Sequence, residues 1–163
     1  MYVAPLNTDL LLSEAQKESL YIKLIEQLNK DFTLANECLD FPISLSPIDL
    51  KIRLHEKIYR LIQHKFAEYL NLLYIIDVAE DQIKKLDGSD LVELAEQVSF
   101  LILKREWQKV WFRNRFQFFL ATSLLAKTTA ALYLKSGVLF KSLSINSAYG
   151  SKSFFSINNS SPL

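Results

Sequence analysis

A chain of 163 residues with only three Gly and four Pro is sized for one domain plus an extension and composed for long helices. Its single cysteine, Cys38, excludes an internal disulfide and a cysteine-built zinc site, and points to a reducing compartment. The formal net charge of +1 hides a break, because residues 1–106 carry 12 Lys and Arg against 18 Asp and Glu, whereas residues 107–163 carry 7 bases and no acid.

The stretch from Met1 to Leu12 has no Lys or Arg and no apolar run ahead of a small-residue cleavage site, so it does not read as a secretory signal and a cytoplasmic location is expected. Ser13-Glu14-Ala15-Gln16 predicts a capping box and a first helix to about Lys30, with Leu20, Leu24 and Leu28 as its apolar stripe. Asp31 to Leu45 lacks periodicity and reads as a connection. Ser46-Pro47-Ile48-Asp49 supplies a cap, a proline at the first helical position and an acid in the first turn, predicting a second helix that runs unbroken to about Ile76. Ile58, Ile62, Phe66, Tyr69, Leu73 and Ile76 share one face of it. From Leu70 to Ile76 it is apolar nearly all round, which predicts burial against several neighbours.

Asp77-Val78-Ala79-Glu80 predicts another capping box, opening a short helix that ends at Asp87-Gly88. Asp90-Leu91-Val92-Glu93 repeats the device for a fourth helix. That helix turns Leu91, Leu94, Ala95, Val98, Leu101 and Ile102 inward and continues through Trp107, Val110 and Trp111 to about Phe116. The expected fold is therefore all-α. It comprises a small antiparallel bundle of about four helices in an acidic domain over residues 1–116, an apolar helix over 117–135 and a flexible, low-complexity tail over 136–163, where 9 of 28 residues are serine.

The sequence offers no catalytic constellation and implies no cofactor. His55-Glu56 opens like a helical zinc-protease motif, but Tyr59 stands where the second histidine belongs, and His55 and His64 are nine residues apart on opposite sides of a helix. The acids from Asp77 to Asp90 lack the alternating ligands and closing glutamate of a calcium loop. Cys38 has no adjacent base to form a thiolate. No metal site and no enzyme are expected.

Lys109-Val110-Trp111-Phe112-Arg113-Asn114-Arg115 resembles the recognition helix of homeodomains. The resemblance implies anchoring by Trp111 and Phe112 and base reading by Asn114. The pattern departs from that family at Gln108 and Phe116, no turn separates Ala95 from Trp111, and the preceding domain is acidic, so a nucleic-acid partner is disfavoured. The segments Leu54 to Arg60, Tyr69 to Val78 and Arg105 to Arg113 resemble a small all-helical bacterial family of unassigned function. That resemblance covers roughly residues 6–116 and implies only the fold.

The leading expectation is a non-enzymatic helical protein–protein interaction module, with a protein partner or self-association as a homodimer. Trp107, Trp111, Phe112, Arg113 and Asn114 are its expected contact residues. Two alternatives are kept. One is membrane association through residues 117–141, opposed by Lys127 near the middle of the apolar stretch, and the other is DNA binding through the helix around Trp111 to Arg115.

Overall fold

The computed structural model describes residues 2–136, with side chains through Gln117. Six helices occur among the described residues and no strand: α1 (Thr8–Lys17), α2 (Tyr21–Leu34), α3 (Pro47–His64), α4 (Phe66–Ile76), α5 (Glu80–Ile83) and α6 (Leu91–Ser136). The chain divides into two compact units, residues 1–115 and 116–163, and the hydrophobic core belongs to the first. The expected tail over 136–163 lies, but for Ser136, outside the described residues. The expected apolar helix over 117–135 forms no separate element, since α6 continues to Ser136.

Helix α1 begins earlier than the capping box at Ser13 predicts. Asn7 is the cap, its side-chain oxygen accepting from the Leu10 amide at 2.8 Å, and Ser13 lies in mid-helix. The helix stops at Lys17 because Ser19 takes a left-handed conformation (φ 57°), with the Ser19 amide donating to the Gln16 carbonyl and the Leu20 amide to that of Ala15. That is the paired-bond stop that usually employs glycine. Asn36 closes α2 in the same way. Asp77 closes α4 likewise (φ 65°), so it is a C-terminal stop and not the N-cap its sequence context predicts. The next helix, α5, is only four residues long and starts from Ala79 without a side-chain cap.

Two expected caps do form. The Ser46 hydroxyl accepts from the Asp49 amide at 3.1 Å and donates to its carboxylate at 2.7 Å, with Pro47 in the first turn. Asp90 accepts from the Val92 amide at 2.8 Å and opens α6.

The long second helix expected from Pro47 to Ile76 is instead broken at Lys65 (φ −140°, ψ 59°), with neither glycine nor proline at the break. Breaking it lets Tyr69, Leu72, Leu73 and Ile76 of α4 pack back against α2 and α3. Phe66, expected on the shared face, is 56 % exposed. Leu50, Leu54, Ile58 and Leu61 of α3 stay inward at helical spacing, joined by Leu24, Ile25, Leu28 and Phe32 of α2 and by Ala95, Val98, Ile102, Leu103, Trp107 and Val110 of α6.

Candidate interaction surface

The expected contact residues on α6 divide between core and surface. Trp107 is fully enclosed and its indole Nε1 has no hydrogen-bond partner. It packs the interior and offers a partner nothing. Its spacing of four from Leu103 and three from Val110, both buried, is core spacing.

Trp111 is 9 % exposed and Phe112 49 %. With Tyr2 they form an aromatic cluster, the Tyr2 ring lying 5.3 Å from Trp111 and 5.4 Å from Phe112, with Trp111 and Phe112 edge-on at 5.1 Å. The Arg115 guanidinium lies 5.2 Å from the Trp111 ring and pairs with Glu18 at 3.0 Å.

Arg113 donates to the Gln27 side chain at 2.8 Å and Asn114 accepts from Lys23 at 3.0 Å. Both are thus engaged with α2. Of the five residues expected from sequence, only Phe112 combines an apolar side chain with substantial exposure.

Beneath this surface lies a buried charged group that residue type and motif do not single out. Lys109 donates to Asp31 at 2.6 Å and to Glu106 at 2.8 Å, bridging α2 and α6. Glu106 is fully buried and its second oxygen, Oε2, has no hydrogen-bond partner. Burial pushes its carboxyl up to about 7; Lys109 opposes that shift and the nearby Asp31 reinforces it. The signal resides in the spacing. Glu106 stands four residues from both Ile102 and Val110, and Asp31 three from Leu28, so each acid sits on an inward stripe.

A third buried acid lies where α2 ends. Glu37 is 4 % exposed and accepts from Lys57 at 2.7 Å and Lys65 at 2.9 Å. Burial pushes its carboxyl up, but the two lysines more than offset this and hold it below the usual range. Lys65 is the residue at the break, so this bridge ties the end of α2 to the start of α4.

Helix α4 itself is apolar on both sides and covered on one. Tyr69, Leu72, Leu73 and Ile76 are buried, while Phe66, Leu70 and Tyr74, four residues apart along one ridge, are 56, 50 and 84 % exposed. Ala67, Glu68 and Asn71 are also exposed, and Glu68 is the one charged residue of the helix. The burial all round expected for this segment is therefore corrected: one flank is bare.

The hollow between α3 and the start of α6 measures about 250 Å³, and its ionisable groups, Lys51, His55 and Glu96, each have a partner within the chain. Lys51 lies 3.6 Å from Asp9 and 3.7 Å from Glu96, and the His55 ring nitrogen Nε2 is 3.1 Å from the Val92 carbonyl. The chain matches no protein-family model, no curated protein and no solved structure.

Proposed function

We propose that this chain is a non-enzymatic helical protein–protein interaction module, its helices forming a mostly antiparallel bundle, with the bare flank of α4 as its docking face. The observation that carries this reading is the ridge of Phe66, Leu70 and Tyr74, uncharged and exposed on a helix whose opposite side is core. Exposed apolar ridges of this kind cost solubility unless a partner covers them. Helices present such i, i+4 anchors to grooves and to other helices.

The two other readings draw less support. No described helix is long and apolar enough to cross a membrane, and residues 137–141 of the expected anchor lie outside the described residues. Arg113 and Asn114, which DNA binding requires, are already hydrogen-bonded to α2.

A photo-crosslinking residue at Tyr74 tests the proposal inside the source cell. A protein adduct from position 74, absent when the crosslinker replaces the exposed Glu26 of α2, is the expected result. No adduct from position 74 refutes the docking face.

A further inference from the structure

We infer that Asp31, Glu106 and Lys109 form a proton-operated latch between α2 and α6. With one proton held between the two carboxyl groups the seam stays closed, and loss of that proton loosens it and admits water while the rest of the domain stays folded. The inference goes beyond the docking face of α4 and does not depend on it.

Charge is the first ground. Lys109 reaches Asp31 at 2.6 Å and Glu106 at 2.8 Å, and the three side chains are 19, 8 and 0 % exposed. One ammonium thus serves two carboxyl groups that water barely reaches. With both ionised, the cluster would carry an uncompensated negative charge in the interior, so one of the two keeps a proton. Glu106 is the deeper, and its Oε2 finds no hydrogen-bond donor among the described residues, which makes it the oxygen to carry that proton. A protonated Glu106 donates to Asp31, which an ionised one cannot do. Among the described residues, Lys109 of its own helix and Asp31 of α2 are the charged groups that act on Glu106, and the other helices bring none.

The place of the cluster in the seam is the second ground. Toward the end of the first unit the contacts between the two helices are polar: Arg113 donates to Gln27 at 2.8 Å and Asn114 accepts from Lys23 at 3.0 Å, one and two turns back along α2 from Asp31. Those pairs reach water and close the seam weakly. Inward of them, Glu106 and Trp107 follow each other in α6, and each buries a polar atom without a partner. The dry seam therefore holds two atoms that water would satisfy.

Rising pH drives the loosening. Burial keeps the Glu106 carboxyl protonated up to about 7; Lys109 opposes this and Asp31 supports it. In a wetted seam it is an ordinary carboxyl near 4.5. Between these values each loosening releases a proton, so its equilibrium constant rises about tenfold per pH unit and levels off above pH 7.

Hydrogen exchange of the purified full chain, followed by mass spectrometry from pH 5 to pH 8 and corrected for the intrinsic rate at each pH, tests this. Amides of residues 27–32 and 106–111 should lose about 100-fold in protection between pH 5 and pH 7 and no more above it. Amides of residues 54–61, in the buried stripe of α3, should stay more protected than these at every pH. Glu106→Gln should abolish the loss. Asp31→Asn, which removes the supporting charge and acceptor, should end it about one pH unit lower, and this series decides the matter if Glu106→Gln does not fold. Protection at the seam that is flat with pH, that falls as steeply in Glu106→Gln, or that levels off at the same pH in Asp31→Asn overturns the latch. So does a seam that exchanges only in step with residues 54–61, since its opening is then the unfolding of the whole domain.

Discussion

The buried carboxyl of Glu106 makes the stability of this domain fall as pH rises through the neutral range. In the folded chain the group holds its proton to about pH 7, whereas unfolded it releases it near 4.5. Between these values the folded state binds one proton more than the unfolded state, so stability is greatest at the acid end of the window and declines toward its upper end. At about 1.4 kcal/mol per pH unit the loss across the window is about 3 kcal/mol, levelling off above pH 7. For a domain of this size it lowers the thermal midpoint by roughly 10 °C. The perturbation is Glu106→Gln, which keeps the shape and the acceptor for Lys109 but has no proton to lose. Helical circular dichroism followed on heating, at intervals from pH 5 to pH 8, compares the two proteins. Every other titrating group is common to both, so their difference reports Glu106 together with its coupling to Lys109 and Asp31. The variant should approach the wild type near pH 5 and exceed it by about 3 kcal/mol at pH 8. A wild-type midpoint that is flat between pH 5 and pH 7.5, or a variant that keeps the wild-type slope, refutes the reasoning.

Glu37 acts at the other end of the scale: with its carboxyl held below the ordinary 4.5 by Lys57 and Lys65, its contribution is present above that pH and lost as the pH falls through its lowered value. Glu37→Gln should therefore flatten the acid limb of the same melting series, and an unchanged limb counts against the bridge. Trp107→Ala should cost about 3–5 kcal/mol in urea unfolding through the cavity it leaves, whereas Trp107→Phe, which also removes the unpartnered N–H, should cost clearly less. Equal losses in the two variants would contradict a cost set by the cavity. Ser19→Gly should raise stability by about 1 kcal/mol, because the left-handed backbone at that position penalises any side chain. A neutral or destabilising result in the same urea assay would contradict that.

The all-helical class followed from composition and stripe spacing, and the ends at Ser46 and Asp90 from cap chemistry, because each of these depends on residues within one turn of each other. The break at Lys65 does not. It coincides with a long-range contact, in which the Glu37 carboxylate, 28 residues before Lys65, closes on Lys57 and Lys65, and no local pattern encodes that pairing. Asp77 misled for a related reason: an acid followed three residues later by a glutamate fits the start of one helix, yet the bonds from the Asp77 and Val78 amides serve the end of another. Ser13 fits a cap equally well, but Asn7 begins the helix one and a half turns earlier. At the surface, residue type favoured the tryptophans as contacts, and spacing, which places Trp107 with Leu103 and Val110, was the better guide. The bare ridge on α4 was hidden because Leu70 and Tyr74 lie in a segment apolar nearly all round, where spacing alone does not say which flank is covered.

Because Trp107 and Trp111 are the only indoles in the chain and stand one turn apart in α6, the native emission of this protein reports on a single locality. One chromophore is shielded from water. The other sits at the margin, beneath an arginine that an added quencher such as iodide would have to pass. Residues 116–163 contain no tryptophan, so the optical signal of the intact chain follows the first unit without labelling and without truncation.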